Sequence, residues 1–143
     1  MEKSRRFWGI LTLLYMLAIL WSSTVPGSSH PTEGFSKRGF MMNLLHIPAY
    51  SILTYFLLRA AFAVRLRTQG SGPCIPLGSA FVISAVVFAA AVCFGVLNEF
   101  VQAHVPGREF SIGDMLRNAL GAGLTLFFYK NKQDKKFVFM PSR

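Results

Sequence analysis

The chain has 143 residues, of which 52% are hydrophobic and 15% are charged, and its net charge is +9. This apolar fraction excludes an ordinary soluble domain and indicates a membrane protein. A basic excess can indicate nucleic-acid binding, but here the charges lie at the ends of apolar runs. That pattern argues against nucleic acid and predicts anionic membrane lipids as partners.

Four apolar runs predict an all-α fold in a polytopic membrane protein. A helix that crosses a bilayer needs roughly 20 mostly apolar residues. Runs of that kind lie at about 7–25, 41–64, 77–103 and 113–129, and a basic tail follows at 130–143. The connecting pieces are too short for a second core, so we expect one transmembrane domain over residues 1–143, with four spanning helices.

The distribution of basic residues predicts the orientation of these helices. Basic residues precede the first run, separate the second from the third, and follow the fourth: Lys3, Arg5, Arg6, Arg65, Arg67, Lys130, Lys132, Lys135, Lys136 and Arg143. By the positive-inside rule these segments are cytoplasmic, so both termini lie inside. The loops 22–40 and 104–112 then face outward.

The first run has two interpretations. The basic residues that precede this run and the small residues Ser22 and Ser23 that follow it are compatible with a cleaved signal peptide. An Ala-x-Ala-like cleavage site is missing, however, and Trp8 and Trp21 stand where interfacial anchors are expected. We therefore favour an uncleaved helix that serves packing and anchoring.

The two cysteines give no sign of a disulfide or a metal centre. Cys74 falls near the predicted cytoplasmic loop and Cys93 within the third run. Neither has a histidine or cysteine at ligand spacing, so no metal site and no cofactor is expected. We interpret Cys93 as a small apolar filler.

The second run begins with polar residues that share a helix face. His46 and Tyr50 are four residues apart and therefore stack on one side of a helix, while Pro48 is tolerated in its first turn. Arg59, late in this run, is expected to extend its side chain to the cytoplasmic surface.

The third and fourth runs carry the remaining polar residues at the same depth. From Leu77 to Glu99 a helix rises by about 33 Å, which brings Glu99 near the outer surface. Gln102 shares its face, and Asp114 and Asn118 lie in the outer third of the fourth run. Arg108 lies in the hairpin between the two runs, where it could pair with Glu99 or Asp114, or bind an anionic group.

Each of these residues also has a structural interpretation. Ser111 and Asp114 match a helix-capping pattern, and Asp114, Asn118, Gly121 and Thr125 form a polar or small stripe suited to helix packing. Interhelical hydrogen bonds, an ion pair in the hairpin and an interfacial belt would explain the others. Their common depth instead favours one outward-facing polar cup. Its candidate ligand-binding residues are His46, Tyr50, Glu99, Gln102, Arg108, Asp114 and Asn118.

The same residues resemble a known family. The block from His46 to Tyr50 is similar to the His-x-x-x-Tyr start of the second span in VanZ-like proteins. The block from Asn98 to Gly121 resembles their Glu-x-x-Gln, Pro-Gly-Arg and Asp-x-x-x-Asn-x-x-Gly signature. This chain departs from the family at Asn98, often acidic there, and at Asn43, commonly basic.

The resemblance implies four spans, a bacterial cytoplasmic membrane and an envelope role. The family is named for a protein associated with low-level resistance to the glycopeptide teicoplanin. The resemblance does not supply a catalytic residue or a mechanism.

Three functions remain open at this stage. The first is a non-enzymatic envelope protein whose cup binds a lipid-linked precursor or a glycopeptide-like ligand. The second is a membrane-embedded enzyme in which His46 or Glu99 is a general base acting on a lipid phosphate or ester. The third is a small transporter, which would need ionisable groups at several depths, whereas the cytoplasmic half of the runs is nearly free of them.

Overall fold

The computed structural model describes residues 2–25, 44–68 and 77–138, and within them the fold is all-α. Four helices follow in order: α1 Glu2–Ser23, α2 His46–Thr68, α3 Leu77–Gln102 and α4 Ile112–Val138. Each overlaps one of the four apolar runs, so the all-α part of the predicted fold class is confirmed. The last helix continues beyond its apolar run into the basic tail. Most of the first loop, the second linker and Cys74 lie outside the described residues.

Helix α2 has the most extensive contacts in the bundle, above all with α4 and α1. The backbones of α2 and α4 approach closely at Gly121, where an added Cβ would collide with the Ile47 carbonyl oxygen. Ser51 Oγ donates a hydrogen bond to the Gly121 carbonyl at 2.9 Å, and Thr125 Oγ1 donates one to the Ser51 carbonyl at 3.0 Å. Small residues thus permit backbone contact, as is common between membrane helices.

The polarity of this bundle is inverted with respect to a soluble protein. Among the described residues, eight buried side chains are polar or charged and seven are hydrophobic. Large apolar side chains instead cover the outside, with exposed fractions of 78% at Trp21 and 75% at Phe81. Such a continuous apolar exterior is stable only when an apolar medium or a partner covers it.

Two of the four helices have the length and apolar composition of membrane spans. These are α1, over Arg6–Ser23, and α3, over Ala80–Gln102. In α2 and α4 the polar side chains that lower the apolar character include His46, Asp114 and Asn118, which belong to the predicted cup. The structure therefore supports two spans, and the expectation of four remains a prediction.

Aromatic residues close the end of the bundle opposite the predicted cup. The Arg59 guanidinium lies 4.7 Å from the centroid of the Trp8 ring, which joins α2 to α1. Phe62 and Tyr129 stack with their centroids 5.4 Å apart and join α2 to α4. Arg59 is thus exposed, as predicted, but its charge lies over an aromatic face.

The close contact at Gly121 generates a stability prediction. Gly121→Ala should lower the free energy of unfolding by about 1–3 kcal/mol or more, because its Cβ would meet the Ile47 backbone, which cannot rotate away. Gly123→Ala is the matched control on the same helix, since the nearest atom to its Cβ is 4.0 Å away. Thermal unfolding of the purified variants in detergent measures both. Equal midpoints would contradict the tight packing of α2 on α4.

Candidate functional site

The polar residues of the four helices meet at one end of the bundle. Successive helices run in opposite directions, so the last turns of α1 and α3 lie beside the first turns of α2 and α4. Buried polar side chains from these turns are Ser23, Asn98, Glu99, Gln102, Asp114 and Asn118. The common depth inferred from the sequence corresponds to this end of the fold.

His46 and Asn118 connect α2 to α4. His46 Nδ1 lies 3.0 Å from Asn118 Oδ1. The third helix approaches this pair through Gly95, whose added Cβ would lie 3.2 Å from Asn118 Nδ2 and 3.3 Å from Tyr50 Cε1. A larger residue at this position would press on both side chains. Gly95 thus allows α3 to bring its polar end against His46 and Asn118.

Glu99 is the most isolated polar group of the site. Its side chain is 0% exposed, and neither carboxylate oxygen has a hydrogen-bond partner in the described part of the chain. The backbone N–H of Ser111 faces the carboxyl group without reaching ordinary hydrogen-bond geometry, and the side chains of His46, Arg108 and Asp114 lie in its surroundings. Burying an ionisable group without partners is energetically unfavourable. The Glu99 carboxyl group therefore needs a bound ion or ligand to offset this cost.

Asp114 has two roles at the beginning of α4. Its backbone N–H donates to Ser111 Oγ at 3.2 Å, so Ser111 caps the helix as the sequence predicts. Its carboxylate forms an ion pair with the half-buried Arg117, one turn further along. The partner of Asp114 is therefore Arg117 rather than Arg108.

Donor atoms of His46, Glu99 and Asp114 come together from three helices. One ligand-type atom from each residue lies within 4.8 Å of the other two. An imidazole and two carboxylates in this arrangement can move a proton or hold a cation. The sequence predicted that these three residues share one cup, but it gave no sign of a metal-type cluster, because they are far apart along the chain and match no ligand-spacing motif.

Gln102 belongs to a second network that sequence reasoning missed. Its Nε2 donates to Ser23 Oγ at 3.1 Å, and Ser23 Oγ lies 2.6 Å from Asn98 Oδ1 and 2.9 Å from the Ile19 carbonyl oxygen. Ser23 had been considered only as part of a possible cleavage region. Nothing in its local sequence distinguishes it from the exposed Ser22, and only the packing of α1 on α3 reveals its role.

Tyr50 lies beneath the site rather than at the membrane interface. It is 1% exposed, and its ring centroid is 6.3 Å from that of Phe94. Its hydroxyl group has no hydrogen-bond partner among the described residues. Tyr50 thus forms the floor of the site and presents one more polar atom without a partner. The alternative of an interfacial belt does not apply to it.

Arg108 lies in the hairpin that joins α3 to α4. Gly107 has a φ of 75°, a conformation that glycine adopts readily, and the Arg108 N–H bonds to the Val105 carbonyl at 3.1 Å. The Arg108 side chain is half-buried and forms no hydrogen bond or ion pair within residues 2–25, 44–68 and 77–138. The pair with Glu99, one of the alternatives that the sequence left open for Arg108, is absent there, since both Glu99 oxygens lack a partner.

Cys93 lies on the outer surface of α3 and is exposed. Its interpretation as a filler inside the bundle is wrong, because its position on the helix turns it away from the packed face. It takes no part in the site.

The fold and the site together define a class. This is a helical protein with an apolar exterior, two helices suited to crossing a membrane, and polar side chains buried at one end. The family model described as VanZ/LLP1 matches residues 7–133, and the chain belongs to this family. No curated protein and no solved structure is detectably similar to it.

The network around Ser23 generates a prediction. Ser23→Ala should lower the free energy of unfolding by about 1–3 kcal/mol, because buried polar atoms of Asn98 and Gln102 lose their partner. Ser22→Ala is the control, since the Ser22 hydroxyl is exposed and bonds only to the Ile19 carbonyl. Thermal unfolding in detergent compares the two variants. A loss of equal size in both would exclude a structural role for the network.

Proposed function

We propose that this VanZ/LLP1-family protein is a multi-pass protein of the bacterial cytoplasmic membrane, with all four helices spanning and both termini inside. The polar residues of α2 and α4 face the bundle interior, which permits helices of lower hydropathy to span. The basic residues at the opposite end support the orientation by the positive-inside rule. The polar cup then opens to the outside.

We further propose that the cup binds an anionic or lipid-linked envelope component, or a glycopeptide, and so reduces the action of teicoplanin. The observation that carries this proposal is the guanidinium of Arg108. It is half-buried, has no partner among the described residues, and lies close enough to the buried Glu99 carboxyl group for the two charges to interact. A guanidinium binds phosphate or carboxylate through two parallel hydrogen bonds.

A membrane-embedded enzyme is the second candidate. The clustering of His46 with Glu99 and Asp114 favours it, because an imidazole beside carboxylates can act as a general base. Arg108 would stabilise the negative charge that develops on a lipid phosphate or ester. A transporter has less support, because no second cluster of ionisable groups occurs deeper in the described part of the bundle.

The orientation can be tested by cysteine labelling. In a background with Cys74 and Cys93 replaced, Glu109→Cys should react with an impermeant maleimide added to intact cells, because this exposed residue lies in the outward hairpin. Lys130→Cys, exposed at the other end of α4, should react only after the membrane is opened. The reverse pattern would invert the proposed topology.

The functional role can be tested by antibiotic susceptibility. Expression of the wild type in a Gram-positive host should raise tolerance to teicoplanin, with vancomycin measured in parallel. His46→Ala, Glu99→Gln and Arg108→Ala should abolish the increase, because they remove the groups that contact the ligand. Arg117→Ala should have a milder effect, since its guanidinium is already paired with Asp114.

Membrane abundance of each variant is the control for this experiment. If expression of the wild type changes the susceptibility to neither teicoplanin nor vancomycin, the teicoplanin role is wrong. Assays with lipid-phosphate substrates should then test the second candidate function, a membrane-embedded enzyme. If Glu99→Gln and Arg108→Ala both retain full function at normal abundance, the cup is not the functional site.

A further inference from the structure

The cluster of His46, Glu99 and Asp114 has the composition of a metal site. Glu99 and Asp114 are buried, His46 is half-buried, and one donor atom from each lies within 4.8 Å of the others. Ligand atoms bound to one ion at ordinary bond lengths are about 3–4.4 Å apart. Small side-chain rotations would therefore bring all three donors onto a single ion.

The unpartnered carboxylate of Glu99 is independent evidence for a cationic ligand. It is fully buried and lacks any hydrogen bond in the described chain, while Arg117 pairs with Asp114 alone. Arg117 is already paired with Asp114, and Arg108 forms no ion pair with Glu99 within the described residues, so the Glu99 carboxylate has no direct counter-charge in a medium of low dielectric constant. Removing such charges from water without compensation is unfavourable, and a divalent ion would supply that compensation.

The hydrogen bond of His46 also suits a metal ligand. Asn118 Oδ1 is a carbonyl oxygen that can only accept, so the 3.0 Å contact selects the tautomer with the proton on Nδ1. Nε2 then keeps its lone pair. Metal-binding histidines in general donate their other N–H to a carbonyl or carboxylate, which orients the ring.

We propose that His46, Glu99 and Asp114 bind one divalent metal ion at the outer end of the bundle. One imidazole nitrogen and two carboxylates suit ions that accept mixed nitrogen and oxygen ligands, such as Mn²⁺ or Zn²⁺, better than Ca²⁺. Asn118 is the residue that positions His46. This inference does not depend on the ligand of the cup, since the ion alone can be measured.

The experiment is a titration of the purified full chain with Mn²⁺. The protein is purified in detergent with an affinity tag that lacks histidine, and it is treated with a chelator. Electron paramagnetic resonance then measures free Mn²⁺, and competition with Zn²⁺ measures the second ion. The wild type should bind about one equivalent, and Glu99→Gln and Asp114→Asn should bind about tenfold or more weakly.

Three variants serve as matched controls. His104→Ala and Glu109→Gln remove exposed donors at the same end of the bundle and should retain wild-type affinity. Arg117→Ala breaks the ion pair of Asp114 but keeps all three ligands, so it should also bind the ion. Asp114→Asn loses both a metal ligand and the ion pair, whereas Arg117→Ala loses only the ion pair. Comparison of the two variants therefore separates the two effects.

A neutral, protonated Glu99 is the competing explanation, and Glu99→Gln distinguishes the two because glutamine has the shape of the protonated acid. Wild-type affinity in a folded Glu99→Gln variant would overturn the proposal, as would no saturable binding of Mn²⁺ or Zn²⁺ to the wild type. The unfolding midpoint of each variant in chelator shows whether it is folded. If Glu99→Gln does not fold, Asp114→Asn compared with Arg117→Ala decides the question.

Discussion

The buried carboxylate of Glu99 is the constraint to which the rest of the structure responds. A carboxyl group in a bundle with an apolar exterior cannot turn toward water, and it cannot stay charged without compensation. Other helices bring a histidine and an aspartate close to it, and the hairpin brings a guanidinium that has no partner among the described residues. These groups need the precise placement that close helix packing provides. The arrangement of the helices and the chemistry of the site therefore depend on each other.

The contact between α2 and α4 provides that placement. Backbone approach at Gly121 holds the two helices at a short distance, together with the hydrogen bonds from Ser51 Oγ to the Gly121 carbonyl and from Thr125 Oγ1 to the Ser51 carbonyl. One turn further out, this distance allows His46 to reach Asn118. The glycine at position 95 does the same for α3. Packing through small residues thus determines which polar atoms can meet.

Much of the fold could be predicted from the sequence, because apolar runs of bilayer length leave few alternatives to helices. The meeting of most polar residues at one end of the bundle was also predictable, since polar side chains at one depth are conspicuous in such runs, whereas their role in binding stays a prediction. Their partners were not predictable: Asp114 pairs with Arg117, and Glu99 pairs with no described residue. Ser23 was missed, and Cys93, interpreted as a small apolar filler, lies exposed on its helix. These partners and positions depend on how each helix is rotated about its axis relative to its neighbours. Apolar residues lie all around these helices, so the sequence does not define that rotation.

The distribution of the cup over successive helices has a consequence for biosynthesis. The chain is made from its N-terminus, so α3 with Glu99 leaves the ribosome before the hairpin and before Asp114 and Asn118. During that interval the carboxyl group lacks two of its final neighbours. In the proposed four-span topology, insertion of α3 and α4 together as a paired hairpin would keep this group from facing lipid alone.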